Sequence, residues 1–197
     1  MSDNMEKDKR DAGLLYNAGS DLQLLAEVKR AKGLCHRYNQ LEPMDFDAQK
    51  EILRELLGKV GERCVIYPPL WCDYGYNIEI GEDFIANHGF TVLDGAKVVF
   101  GDHVFVGPGC GFHTAAHPID AELRNAWLVQ NKPIHVGNNV WFGAGVQVMP
   151  GVTIGDGCVI GAGSVVTHDI PEGSVAAGNP CRVIRKVSES RKAMVIK

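Results

Sequence analysis

Between Val136 and Val165 the chain repeats itself every six residues, as VGNNVW, FGAGVQ, VMPGVT, IGDGCV and IGAGSV. Every first position is apolar (Val136, Phe142, Val148, Ile154, Ile160), and every fifth is small or β-branched (Val140, Val146, Val152, Cys158, Ser164). A six-residue period suits neither an amphipathic helix nor an ordinary alternating strand. It predicts a short strand and a tight turn, repeated, with three such units closing one triangular coil of a solenoid. The first position should point inward and stack on its counterparts above and below. Gly occupies the second position in four of the five units. It is expected to supply the positive φ that a corner needs, since glycine reaches it without steric cost.

Earlier in the chain the same spacing recurs with interruptions. Ile66, Cys72 and Ile78 fall six apart, then after a slip of two so do Ile80, Ala86, Val92 and Val98, and after another slip Phe100, Val106 and Phe112. These read as earlier coils with corner bulges. The regularity stops from His113 to His135, a segment best read as a loop ejected from the coil. Insertions in solenoids gather on one face, often the binding face.

Ahead of the coils, residues 1–10 are polar and expected to fray. Ser20 with Gln23 resembles a capping box, and Leu22, Leu25 and Val28 follow at helical spacing. A second helix is predicted after Asp45, with Ile52, Leu53, Leu56 and Leu57 as its apolar stripe and Gly58 at its end. The division expected is a helical cap over 1–60, a β-helix over 61–187 with its ejected loop at about 113–135, and a tail over 188–197, read as a short helix.

With 197 residues there is room for one domain and a modest appendage. A net charge of −4 gives no reason to expect nucleic acid. No apolar run approaches the ~18 residues of a transmembrane helix, so no membrane association is expected. The start, MSDNMEKDKR, lacks the apolar core of a secretory signal. The six cysteines show no C-x-x-C spacing, which points to a reduced, cytoplasmic protein without structural zinc.

In a coil of packed aliphatics, reactive side chains should sit where the pattern breaks. His117 lies in the ejected loop before Pro118, and a histidine is the natural general base near neutral pH. The segments YGYNIEIGEDFIAN (74–87), AAHPIDAELR (115–124), 134–171 and AAGNPCRVIR (176–185) resemble the maltose, galactoside and nodulation-factor O-acetyltransferases of the hexapeptide-repeat acyltransferase family. The N-terminal AGLLYNAGSDLQLL (12–25) resembles that family's cap. The resemblance implies a left-handed parallel β-helix, although parallel crossovers in general favour the right hand.

The resemblance further implies transfer of acetyl from acetyl-CoA to a hydroxyl of a sugar-like acceptor. The reaction would be direct, with His117 as base, no metal and no acyl-enzyme. Coenzyme A would contact Ala144, Ala162, Thr167 and His168, with Arg182 and Arg185 near its phosphates, where a planar guanidinium is well suited. Many relatives carry Ser where Ala144 stands, so here only the backbone N–H could aid the oxyanion. Trp141 either lines the coenzyme groove or shields a corner. Asn87 matches a polar acceptor residue, and Asp73 and Asn17 stand near further acceptor positions. Ile85 and Gly95 depart from the family pattern. A homotrimer is implied, with the coenzyme between subunits. Two alternatives remain at this level: an acetyltransferase acting on an amine, amino sugar or serine, and a non-catalytic β-helix.

Overall fold

A computed structural model describes residues 5–190. The chain opens with α1 (Met5–Asp11), β1 (Tyr16–Asn17), α2 (Leu22–Asn39) and α3 (Phe46–Leu56). Residues 5–10, expected to fray, are therefore helical, and Arg10 is buried. Its guanidinium lies 4.7 Å from the ring centre of Tyr74 and 5.8 Å from that of Tyr76, and it donates to the Tyr76 hydroxyl at 2.8 Å. A buried cation between aromatic faces anchors a helix that hydrophobic patterning cannot reveal.

The N-cap of α2 is Asp21, not Ser20. Its carboxylate accepts from the backbone N–H of Gln23 and Leu24 at 2.9 and 3.0 Å, which relieves two of the orphan donors of a helix start. Nor do Leu22 and Leu25 lie on the buried face; they are 83% and 45% exposed. The packed face is Leu24, Ala31, Leu34, Cys35 and Tyr38, which meets α3 and the first coil. Helix α3 follows Asp45, which caps Ala48 N–H at 3.1 Å, and it buries Leu53 and Leu56.

The coils then run through β2 (Cys64–Ile66), β3 (Leu70–Cys72), β4 (Ile78–Ile80), β5 (Phe84–Ala86), β6 (Phe90–Leu93), β7 (Val98–Phe100), β8 (Phe105–Val106) and β9 (Gly111–His113). The segment after His113 is built rather than loose: β10 (Ala115–Ala116), α4 (Ala121–Asn125) and β11 (Leu128–Asn131). Coiling resumes with β12 (Ile134–Val136), β13 (Trp141–Phe142), β14 (Gln147–Val148), β15 (Thr153–Ile154), β16 (Val159–Ile160), β17 (Val165–Val166) and β18 (Ser174–Ala177), before β19 (Arg182–Lys186). A 3₁₀ turn covers Val187–Ser190. The rest of the tail, where a short helix was expected, lies outside the described residues, as do residues 1–4.

Three parallel sheets form the faces of the prism, ordered β15-β12-β7-β4, β18-β16-β13-β8-β5-β2 and β17-β14-β9-β6-β3. The first-position residues of the sequence repeat are buried throughout. The slips have a simple origin. Ile80 lies beside Phe100, so the early coils advance 20 residues per turn, whereas Val136 lies beside Ile154 and the later coils advance 18, shortening to 16 at the last, where Ile160 lies beside Ala176. The wider early coils carry a column of rings, Phe84, Phe90, Phe100 and Phe112, which Phe142 continues into the first later coil, with successive centroids 4.8–5.9 Å apart.

One expectation about glycine is corrected. The positive φ falls on the fourth position of the hexapeptide, not the second; within IGDGCV it is Gly157, at +64°. Gly155, in second position, is needed for another reason: a Cβ there would stand 2.5 Å from the backbone N of Glu172 in the next coil. The second position is where consecutive coils touch.

Both ends of the prism are covered. At the start, the side-chain amide of Asn39 accepts from Leu70 N–H at 2.8 Å and donates to Leu70 C=O at 3.0 Å. At the finish, β19 folds back antiparallel on β18.

Candidate active site

The excursion between β9 and β12 forms an antiparallel hairpin of β10 and β11, with Ala115 opposite Asn131 and Ala116 opposite Gln130. Strand β1 adds to its other edge, Tyr16 opposite Val129 and Asn17 opposite Leu128. His117 follows β10 directly and is exposed. Its Nδ1 lies 2.8 Å from the carbonyl oxygen of Leu128. A carbonyl can only accept, so Nδ1 carries a proton, and in the neutral ring the lone pair is the one on Nε2. Asn17, across from Leu128, donates through Nδ2 to Ala126 C=O at 3.1 Å and accepts through Oδ1 from Gly19 N–H at 2.9 Å. The structure thus brings Asn17 and His117 together on either side of one residue.

Beneath the hairpin lies a buried polar cluster that sequence reading missed. Asn131 donates to the Tyr16 hydroxyl at 2.8 Å and accepts from Thr114 at 3.3 Å. Asp94 is fully buried. Its Oδ1 accepts from the backbone N–H of Asp73 and Tyr74 at 3.0 and 2.8 Å, while Oδ2 has no partner. Burial pushes this carboxyl up to about 6, against the opposing pull of the two N–H groups. Asp73 itself is half-buried, and its Oδ1 faces Lys32 Nζ at 3.2 Å. An acidic residue in the middle of an otherwise apolar coil segment was the available signal for Asp94.

The remaining residues occupy other corners. Asn87 follows β5, Ala144 follows β13 and Ala162 follows β16. These strands neighbour one another through β8, so the three residues stack along one edge of the prism. Ala144 and Ala162 are exposed. Asn87 precedes β6, whereas the hairpin leaves after β9, which pairs with β6. Asn87 and His117 therefore stand at opposite ends of one face of the same chain. Thr167 and His168, after β17, share a third place with Arg182. His168 and Arg182 line a cavity of about 290 Å³ with Asp169, Ile170, Cys181 and Val183, and Thr167 Oγ1 lies 2.8 Å from His168 Nδ1.

Arg182 and Arg185 are three apart, which in a regular strand would set them on opposite faces. A bulge intervenes: Val175 pairs with Arg185 but Ala176 with Val183, leaving Ile184 as an extra residue. The bulge returns both arginines to the face shared by Val175 and Ala177. No sequence signal marked it. Among the described residues, no group of three or more His, Cys, Asp or Glu side chains is placed to hold a metal ion, and no helix is long and apolar enough to cross a membrane.

A prism of hexapeptide coils with an N-terminal cap and a histidine-bearing hairpin defines the hexapeptide-repeat acetyltransferases. Residues 9–61 match the family described as the maltose acetyltransferase hexapeptide capping motif, and residues 133–168 match the bacterial transferase hexapeptide family of six repeats. The galactoside O-acetyltransferase of Escherichia coli K12 is 43% identical over 163 residues, 83% of this chain and 80% of that protein. A maltose O-acetyltransferase from Clostridium difficile 630 superposes with a TM-score of 0.90 at 46% identity, covering 92% of this chain and 96% of the other. A galactoside acetyltransferase in complex with coenzyme A superposes at 0.92 with 39% identity, covering 98% and 96%. The chain belongs to the maltose and galactoside O-acetyltransferase group of that family, and is an acetyltransferase of that type.

Proposed function

We propose that this protein transfers acetyl from acetyl-CoA to a hydroxyl of a sugar, with His117 as general base. The observation that carries this reading is the hydrogen bond from His117 Nδ1 to Leu128 C=O, which in the neutral ring places the lone pair on Nε2 of an exposed side chain. His117 Nε2 takes the proton of the attacking hydroxyl as its oxygen bonds to the thioester carbonyl carbon. When the C–S bond breaks, the same nitrogen returns the proton to the departing sulfur. A histidine placed in this way contributes about 10²–10⁴-fold to rate. Ala144 offers only its backbone N–H to the developing oxyanion. Coenzyme A, present in the solved structure of a galactoside acetyltransferase, would lie along Ala144, Ala162 and Thr167. The cavity of His168 and Arg182, with Arg185 on the same hairpin face as Arg182, would take its phosphates. Asn17, Asp73 and Asn87 would hold the acceptor.

The reading includes a homotrimer in a reducing, cytoplasmic setting. Asn87 and His117 lie at opposite ends of a face, so joining them calls for a second copy. The broadest sheet also carries an outward column of Val65, Ile85, Phe105, Trp141 and Val159 in register. Ile85, Phe105 and Trp141 are 39%, 47% and 44% exposed, an apolar surface suited to burial against another copy.

The test is thiol release from acetyl-CoA against a panel of sugars and amines, run beside His117→Ala. Sugar-dependent release should fall about 10²–10⁴-fold in the variant with coenzyme binding retained. Release with amines alone, or a variant as active as the parent, would sink the proposal.

A further inference from the structure

The corner that holds Asn87 carries a second histidine in the same state as His117. His88 Nδ1 lies 2.5 Å from the carbonyl oxygen of Pro68. The carbonyl must accept, so Nδ1 carries a proton, and in the neutral ring the lone pair is the one on Nε2. The ring is exposed, and no other hydrogen bond engages it among the described residues. It packs on Tyr67 with centroids 5.5 Å apart and planes at 43°. The backbone is pinned on both sides, His88 C=O accepting from Gly109 N–H at 2.8 Å.

Asn87 is fixed by the same residue. The backbone N–H of His88 donates to its side chain at 2.8 Å, which identifies the receiving atom as Oδ1. Nδ2, with two hydrogens to give, has no partner among the described residues. Consecutive residues at one rigid corner therefore offer a donor, Asn87 Nδ2, and an acceptor, His88 Nε2. A hydroxyl both gives and receives a hydrogen bond, so neighbouring hydroxyls on a sugar ring are the complement of such a pair. The Tyr67–His88 ring pair supplies an apolar flank for the ring's C–H face.

We propose that His88 is a specificity-determining residue, and that Asn87 and His88 together read a vicinal diol of the acceptor, Asn87 Nδ2 donating to one hydroxyl and His88 Nε2 accepting a hydrogen bond from the next. The inference rests on the sugar-acceptor reading above.

The probes are methyl β-galactoside, methyl β-glucoside and their monodeoxy analogues, assayed by thiol release. His88→Phe keeps the ring on Tyr67 and removes Nε2. KM for the parent glycosides should rise about 10-fold, the equivalent of one lost hydrogen bond, with kcat within about 2-fold and KM for acetyl-CoA unchanged. His88→Gln, which restores an acceptor, should recover part of the loss. One monodeoxy analogue, lacking the hydroxyl that His88 reads, should be used equally well by parent and variant, while the others keep the 10-fold gap. An unchanged KM in His88→Phe, or a rise of equal size for every analogue, overturns the assignment alone. No sugar-dependent release by the unmodified protein overturns this assignment and the sugar reading together.

Discussion

The coils before the hairpin and those after it solve one packing problem differently. From Cys64 to His113 each turn takes 20 residues and four phenylalanine rings stack in the interior; from Ile134 each turn takes 18, shortening to 16 at the last, and the interior is mostly valine and isoleucine, with Phe142 among them. The later coils obey a strict hexapeptide, so each side chain meets its equivalent directly above and below. The earlier coils carry extra corner residues, and rings of different tilt absorb the mismatch. Phe100 and Phe112, for example, meet edge to face at 80° with centroids 4.8 Å apart. Regular stacking needs only uniform small wedges. Irregular stacking needs large side chains that can tilt.

The largest expected effect follows from that contrast. Phe100→Ala would remove the ring that touches Phe84, Phe90 and Phe112, and should cost about 3–5 kcal/mol. Ile160→Val, in the regular half, should cost about 0.5–1.5 kcal/mol. Denaturant midpoints of the two variants would show it; equal losses would erase the distinction between the halves.

Next come the two glycines of IGDGCV. Gly155→Ala forces a methyl against the backbone of the following coil and should cost about 2–3 kcal/mol. Gly157 has a positive φ but open space around its Cβ position, so Gly157→Ala should cost about 1 kcal/mol and Gly157→Asn less, since asparagine tolerates that conformation. Asn139 already adopts it at φ 57°. Thermal melts in which the two alanine variants proved equal would show that close approach does not define the second position.

A further effect, confined to one pH range, concerns Asp94, at a corner of the early coils. Its folded pKa of about 6 lies above the ordinary aspartate value, so the folded state binds the proton more tightly than the unfolded chain. Its contribution is most favourable below about pH 4 and is lost as pH rises through about 6. Asp94→Asn should therefore raise stability by roughly 1–2 kcal/mol at pH 7–8, with the difference vanishing near pH 4. Parallel stability profiles of parent and variant would check this, and a difference independent of pH would assign it to packing instead.

The same contrast governs what was legible in the sequence. In the later coils the repeat itself marked the inward residues, and the break at His113 marked where chemistry should lie. What escaped was whatever depends on partners distant in the chain. The buried Arg10 of α1 is legible only once Tyr74 and Tyr76 are beside it. Strand β1 has no alternating pattern because two residues suffice to edge a hairpin more than a hundred positions away. The exposed Leu22 and Leu25 mimicked a core stripe, whereas α2 turns Leu24, Ala31, Leu34, Cys35 and Tyr38 inward. Of the candidate site, residue identities could be read from motifs. The carbonyls that set the tautomers of His117 and His88 could not, since every residue has one.

The Asn39 amide bears on the size of the whole molecule. A stack of parallel strands ends in a row of backbone groups able to recruit another strand, and a solenoid has two such ends. Asn39 occupies the N–H and C=O of Leu70 with a side chain that mimics one peptide unit and has no further peptide to offer. At the far end of the broadest face β19 runs the wrong way and is bulged, so that ladder has no parallel template to extend. A repeat that could in principle propagate into a fibre is thus blocked at Leu70 by an amide and on the β18 face by a reversed strand.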